Sequence, residues 1–504
     1  MPALRTNIIA NILGGAWIAI LTVAITPLQV HMLGLEAYGL VGLITVLQVV
    51  LGAFDLGLSA TMTKVVSADR SEKFLATRDL INSSLTLYWG MALALAVSLW
   101  LASPWVAKHW LQPATISAET VTLSVRIIAV YLALRWPVAF YTGIISGLQR
   151  MDLLNLIKSG VVSVRLIGGV IVLLVSPALE TFLLWFAISA LLELAVYVVV
   201  SHRLMPGLTV RPYFSFAAIK TTWKFSATMS LIALMAMLLT QLDRLVVSKL
   251  LSLEALGLYS LAYNTASGLS LLQGAINSAS LPALSKAHSY EQAGAFLARY
   301  DKASQLMGYS MAFFCCALVF FGHDILRVWV GSQVADGAYF ALAVLSTGFF
   351  LNAMVSNAYV AAVAQGQPYL PLKVNLVIVP FYMLALYWLT LEIGIAGAAV
   401  CWLALNLYYC LSLLPLVQIR LLRQKVSPWL MRNAFTFLLV GIVTFGGAKV
   451  LAIALGAGWT VWPALVIAAA AYVVLGYMRL ASDLRFDVRT LIENPRPFFA
   501  GRVA

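Results

Sequence analysis

The sequence predicts an all-α polytopic membrane protein of about fourteen transmembrane helices: two six-helix lobes in parallel repeat plus two C-terminal helices. Three observations predict it. Apolar residues make up 62% of the chain and charged residues only 10%, with a mean hydropathy of +0.94. A soluble domain is roughly 45–50% apolar and about 25% charged, so the bilayer must be the solvent for this one. Apolar runs of about 20 residues, enough to cross a bilayer core as a helix, recur along the whole length. Finally, the octapeptide LGLEAYGL at 33–40 returns 218 positions later as LSLEALGL at 251–258, with six of eight letters kept.

The runs place helices near 8–32, 38–62, 81–103, 122–146, 156–176, 180–201, 221–248, 254–281, 303–322, 338–363, 371–391, 394–418, 433–455 and 460–479. The first resembles a signal peptide in length, but no small-residue cleavage site follows it, and Pro27 and Gln29 sit where one would fall. It is read as a retained helix. Asn7, Asn11, Gly14, Ile18, Thr22, Ile25 and Gln29 recur on it at spacings of three or four. Its polar members, Asn7, Asn11, Thr22 and Gln29, either line a wet cavity or pack against a neighbouring helix through hydrogen bonds. Pro27 removes a backbone bond near one end and offers a place to bend, hence a candidate gate.

Few ionisable residues fall at membrane depth, where each costs about 2.5–3.5 kcal/mol by insertion scales and normally faces a cavity or a partner. Helix two carries Asp55, which caps or pairs near Lys64 or serves ion coupling. Helix four carries Arg126 and Arg135, nine residues apart. Nine residues are about two and a half turns, so the two point to opposite faces. Arg126 also lies near an interface, where it can snorkel. Helix five carries Arg165 and helix six Glu193, which either pair to lock the lobe or leave the arginine for an anion. Arginine's planar fork of donors suits phosphate. A basic segment at 204–220 links the lobes. Helix seven carries Asp243 beside Arg244, a charge pair or a proton or sodium site, and helix eight carries Gln273. Cys315, Cys316, Cys401 and Cys410 fall within helices nine and twelve and read as small apolar residues. Lys449 lies on helix thirteen, outside the repeat.

The net charge of +13 raises the question of nucleic acid. Its distribution answers otherwise. Lys64, Arg70, Lys73, Arg78, Arg203, Arg211, Lys220, Lys224, Lys286, Arg299, Lys302, Arg420, Arg423, Lys425 and Arg432 cluster around the even-numbered connections. The odd-numbered ones hold only Lys108, Arg244, Lys249 and Arg327. The positive-inside rule then expects both termini in the cytoplasm and a multi-pass protein of the inner membrane. No P-loop, HExxH or GxSxG is present, and the five histidines are scattered over loop edges. An enzyme, a metal site or a cofactor is not expected.

If the octapeptides mark a repeat, other features should share their offset. Thr22 meets Thr240 and Asp55 meets Gln273, while GLQRMDLLN at 147–155 and GQPYLPLKVN at 366–375 occupy matching turns. Six helices separate the copies, so both have one orientation and are related by an axis along the membrane normal. The expected boundaries are a lobe at 1–203, the linker at 204–220, a second lobe at 221–420, the two extra helices at 421–482 and a cytoplasmic tail at 483–504. Gly39 and Gly257 are expected to give each octapeptide a tight start to its next helix.

LGLEAYGL with FDLGLSATMTK at 54–64, QLDRLVVSKLLSLEALGLYSLAYN at 241–264, LPALSK at 281–286 and GIAGAAVCW at 394–402 together resemble polysaccharide, or lipid-linked oligosaccharide, flippases. These belong to the superfamily that also holds multidrug and toxin extruders and lipid II flippases. The resemblance covers about residues 1–420. It implies alternating-access transfer of an undecaprenyl-pyrophosphate-linked oligosaccharide from the cytoplasmic to the periplasmic leaflet. It also implies a cationic cavity, with Arg135, Arg165 and Arg126 as candidates, and partners among the polysaccharide polymerase and chain-length proteins. The rival readings are a multidrug extruder of the same superfamily, which would prefer an acid-rich cavity, and a scaffold that recruits polysaccharide enzymes.

Overall fold

The computed structural model describes the chain apart from Met1, Phe54, Leu56 and residues 69–73, 206–212, 217–219, 221–222, 291–292, 457–459 and 487–504; it also leaves out some side chains, including those of residues 2–13. Most of the expected linker and tail, and the side chains of Asn7 and Asn11, therefore lie outside the described residues. Among those described, all regular elements are helical. They are α1 (Pro2–Leu33), α2 (Leu35–Ala53), α3 (Leu58–Ala68), α4 (Phe74–Trp105), α5 (Ala118–Gly147), α6 (Met151–Val175), α7 (Leu179–Leu204), α8 (Trp223–Leu250) and α9 (Leu253–Ser267). There follow α10 (Leu269–Ser289), α11 (Ala293–Val330), α12 (Ser332–Ala364), α13 (Tyr369–Ile393), α14 (Ile395–Leu411), α15 (Leu413–Arg420), α16 (Val426–Ala454) and α17 (Val461–Arg479).

Thirteen of these stretches are long and apolar enough to cross a membrane, against the fourteen expected. The missing one is the helix read near 254–281. It is present, but Gly268 divides it into α9 and α10, the first too short and the second too rich in serine and amide side chains to qualify. The helix read as continuous over 38–62 is likewise divided, into α2 and α3, with Gly57 at φ +62° in the break. An apolar run registers burial in lipid and not backbone continuity, so both breaks escape a hydropathy reading.

The chain forms two compact units, Met1–Ser260 with Thr390–Ile395, and Leu261–Leu389 with Ala396–Ala504. In the first, the core gathers around α5. Phe140, Tyr141 and Ile144 pack with Met62 of α3, Tyr88 of α4 and Tyr197 of α7, all nearly or wholly removed from the surface. Gly143 lets α5 approach the backbone of α3 closely, since a Cβ there would lie 2.6 Å from the Ser59 carbonyl oxygen.

The two octapeptides meet inside this unit. A Cβ on Gly39 would collide with the carbonyl oxygen of Leu253 and lie 3.2 Å from the Gly257 nitrogen. Reciprocally, a Cβ on Gly257 would collide with the Leu35 carbonyl oxygen and lie 3.4 Å from the Gly39 nitrogen. Leu35 and Leu253 are themselves equivalent at the offset of 218, so the contact is self-complementary, as across a two-fold axis. The expectation that these glycines open a tight turn is corrected. Both lie inside helices, the turn glycine is Gly34 at φ +81°, and Gly39 and Gly257 serve a backbone-to-backbone crossing. Further along, a Cβ on Gly57 would strike the Ser226 carbonyl of α8, and the Thr61 and Ser226 hydroxyls share a 2.8 Å hydrogen bond. α2 and α3 thus run beside α8 at both ends.

In the second unit, α11 packs against α10, α12 and the added helices. Gly308 faces the Asn433 backbone of α16, Gly441 faces Cys316, and Gly476 of α17 faces Tyr309. Two ion pairs reinforce the seam: Arg432 with Asp301 at 2.7 Å, and Lys449 with Asp324. All four cysteines are free thiols; Cys410 alone is only half-buried.

Candidate functional site

In the first unit, Arg135 and Arg165 converge on Glu193. Its neighbour one turn back on α7, Ser189, and the tyrosine one turn back from Arg135 on α5, Tyr131, complete the frame. Arg135 Nε lies 2.9 Å from Glu193 Oε2, and its Nη2 donates to Oε1 at 3.2 Å. Arg165 Nη2 also donates to Glu193 Oε2, while its Nε donates to the Ser189 hydroxyl at 2.8 Å. Both guanidiniums stand over the Tyr131 ring, at 5.8 and 5.5 Å from its centroid. Gln48 of α2 accepts from Arg135 Nη1 at 2.6 Å and donates to the Tyr131 hydroxyl at 2.8 Å. Within this cluster two arginines face one carboxylate; a second carboxylate, Asp55, lines the cavity beside Arg135.

Exposure separates the two arginines. The Arg165 side chain is 7% exposed and Glu193 5%, whereas Arg135 is 27% exposed. Arg135 lines a cavity of about 270 Å³ together with Gln48, Asp55, Tyr88, Trp136 and Thr142. Arg165 does not reach it; it braces Glu193 from behind. Asp55 sits in the α2–α3 break, where its Oδ2 accepts from the backbone N–H of Ser59 at 3.2 Å and from its hydroxyl at 2.5 Å. The carboxylate therefore holds the first turn of α3, the helix end where backbone N–H groups lack partners. Its Oδ1 has no hydrogen-bond partner among the described residues.

The other sequence candidates fall elsewhere. Arg126 donates to the Ser103 hydroxyl at 3.1 Å and stands 5.4 Å from the Trp100 ring centroid. It lines a separate hollow with Lys108, Glu119 and Thr122. Asp243 is wholly buried, accepting from the Arg244 backbone N–H at 2.8 Å and the Tyr259 hydroxyl at 2.7 Å. On α1, which runs uninterrupted through Pro27, Thr22 bonds back to the Ile18 carbonyl at 2.7 Å. Gln29 is buried, and its Nε2 has no partner among the described residues. At Gly14 the stripe packs on Asn155 and Ser159 of α6, and Trp17, outside the stripe, donates to the Ser163 hydroxyl at 2.8 Å. In the second unit Gln273 donates to Asn352 at 3.0 Å.

Sequence reading missed Gln48, Tyr131 and Ser189. Gln48 lies seven residues before Asp55, two turns along one face, and that spacing was a usable signal. Tyr131 and Ser189 lie one turn before Arg135 and Glu193, but nothing in the letters separates them from other helix neighbours. Asp324, the partner of Lys449, was missed because the ninth helix was ended at 322, whereas α11 continues to Val330.

The profile of the polysaccharide biosynthesis protein family matches residues 4–288, more than half of the chain. A Shigella flexneri protein named "Putative O-antigen transporter" is 21% identical over 411 residues, covering 79% of this chain and 93% of that one. Among solved structures, an inward-facing multidrug resistance transporter of the MATE family, in the MOP superfamily, superposes with a TM-score of 0.64 at 13% identity, over 83% of this chain and 96% of that one. A lipid II flippase in an inward closed conformation gives a TM-score of 0.63 at 12% identity, over 97% and 98%. At such identities the structural likeness establishes the fold alone.

Proposed function

Because this chain belongs to the polysaccharide biosynthesis protein family, we propose that it is a flippase for an undecaprenyl-pyrophosphate-linked oligosaccharide, moving it from the cytoplasmic to the periplasmic leaflet by alternating access. The observation that carries the reading is Arg135, a guanidinium on the wall of a membrane-depth cavity, held by Glu193, Gln48 and Tyr131. A pyrophosphate arriving there meets a pre-oriented fork of donors in a low-dielectric setting. About 270 Å³ lies just below the usual range of small-molecule sites, roughly 300–1,000 Å³. It admits the charged link of such a substrate while the sugars extend beyond it and the lipid chain stays in the bilayer. Glu193 binds the same fork that the phosphate would take, so substrate arrival exchanges one anion for another.

The setting would be the inner membrane, with both termini and the basic connections, including the linker at 204–220, in the cytoplasm. The two lobes, 1–203 and 221–420, would rock about the site, with helix one bending at Pro27, and the chain at 421–482 adds two helices outside the repeat. Asp55, Asp243 and Glu193 are the acids available for ion coupling. Polysaccharide polymerase and chain-length proteins would take the product, and the reading needs no nucleic acid, cofactor or chemical step. Asp55 on the same cavity wall favours the second reading, a multidrug extruder of cationic compounds.

A deletion strain decides between them. Lipid-linked repeat units should accumulate on its cytoplasmic side, wild-type protein should clear them, and Arg135→Ala should fail to. Full rescue by Arg135→Ala removes the cationic site from the mechanism. A change in drug susceptibility with normal polysaccharide selects the extruder.

A further inference from the structure

The repeat that pairs the octapeptides also pairs Asp55 with Gln273, and the helix pair that carries the Asp55–Arg135 cavity wall with α10 and α12. At the place corresponding to the charged wall, the second unit presents amides. Gln273 Nε2 donates to Asn352 Oδ1 at 3.0 Å, and one turn on, Asn277 Nδ2 donates to the Ser356 hydroxyl at 3.2 Å. Asn352 in turn donates to Asn406 at 2.7 Å, and Asn406 is anchored on the Trp402 carbonyl at 2.8 Å. Behind the ladder, Tyr263, Phe349 and Trp402 form a buried aromatic trio with centroids 5.2 to 6.2 Å apart. Gln273, Asn277, Asn352 and Ser356 are all half-buried, not sealed in the core.

Each amide offers two N–H donors and an acceptor oxygen. Gln273 and Asn277 each commit one N–H donor and keep a second; the Oδ1 of Asn277 is itself buried, without a partner among the described residues. Spare donors and acceptors turned to hydrocarbon would each cost several kcal/mol, so a half-open row of them at membrane depth belongs to a face that meets polar solute. Among the described residues no Lys, Arg, Asp or Glu joins this ladder, and a carboxamide matches a pair of neighbouring hydroxyls, donating to one oxygen and accepting from the other.

We propose that Gln273, Asn277, Asn352 and Ser356 form a saccharide-binding strip for the uncharged pyranose hydroxyls of the transported headgroup. The proposal rests on the flippase reading: the strip is a site within the second unit that takes the sugar of the transported headgroup, as Arg135 within the first takes its diphosphate. The strip then decides which oligosaccharides are accepted, whereas Arg135 is indifferent to them.

The test measures binding of two probes to the full chain in lipid nanodiscs. One is undecaprenyl pyrophosphate without sugar; the other is undecaprenyl pyrophosphate bearing the repeat unit extracted from a polymerase-deficient source strain. Wild type should bind the sugar-bearing probe more tightly. Gln273→Met and Asn277→Ala should each weaken the sugar-bearing probe about tenfold, the loss of one to two hydrogen bonds, and leave the bare probe unchanged. The bare probe thereby also reports that each variant is folded. Equal weakening of both probes, or no weakening of either, overturns the strip. Arg135→Ala should weaken both probes alike. If Arg135→Ala changes neither while the amide variants lose the sugar-bearing probe, the diphosphate site fails and the strip stands.

Discussion

Glu193 answers two guanidiniums at once, and the three residues therefore differ in what their loss does. Replacing Glu193 with Leu leaves Arg165 buried without its carboxylate, which costs about 3–5 kcal/mol when a buried ion partner is removed. Replacing Arg135 with Met leaves Glu193 paired with Arg165 and removes a side chain already 27% exposed, so the fold should lose far less. Thermal melting of the purified variants should place Glu193→Leu well below Arg135→Met; equal midpoints would show that the cluster does not hold the fold. Transport should follow a different order, with Arg135→Met inactive although folded. The residue types and their place within long apolar helices were legible in the sequence, because arginine and glutamate are costly in lipid and few enough to single out. Their sharing of one carboxylate was not, since helical spacing places residues on faces and says nothing of which three helices converge. Asp55 shows the same limit: its depth was readable, but its seat in a helix break was hidden, with Gly57 the one local clue.

Among elements, glycine does two jobs here with one letter. Gly34, at φ +81°, has open space around it, so Gly34→Ala meets only the left-handed backbone penalty of about 1–2 kcal/mol. Gly39 has ordinary helical geometry, but its missing side chain is the space that the Leu253 carbonyl occupies. Gly39→Leu must push two backbones apart, a strain of about 1–3 kcal/mol or more. The expected order of stability is wild type, then Gly34→Ala, then Gly39→Leu, read from unfolding in detergent; the reverse order would mean that the crossing is not a close contact. The doubled octapeptide made the repeat visible from sequence because the offset is a property of the letters. What it is for could not be read there, because a close crossing and a tight turn ask for the same residue.

Across the molecule, the first unit sets two arginines on one carboxylate, Glu193, and buries Asp243 apart from them, and the second holds an amide ladder and a seam to the added helices. That seam rests partly on the Lys449–Asp324 pair, with the ammonium 5.4 Å from the Phe321 ring centroid. Lys449→Met alone strands Asp324 and should lower the melting midpoint sharply. Adding Asp324→Leu should restore most of the loss, since both side chains are half-buried and an ion pair largely withdrawn from water is often replaced by apolar residues at little cost. If the double variant is as unstable as the single one, the pair is not what secures α16. The all-helical, polytopic fold class was legible in composition, while the two helix breaks and the seam needed coordinates. The glycine crossing has a further consequence, for the birth of the protein. Gly39 enters the membrane with 218 residues still to be made before Gly257 arrives, roughly 10–40 s at about 5–20 residues per second. Throughout that interval α2 carries a bare notch shaped for a helix that does not yet exist. A nascent chain that stalls before Leu253 leaves that notch unfilled, because the carbonyl that occupies it in the finished protein has not been made.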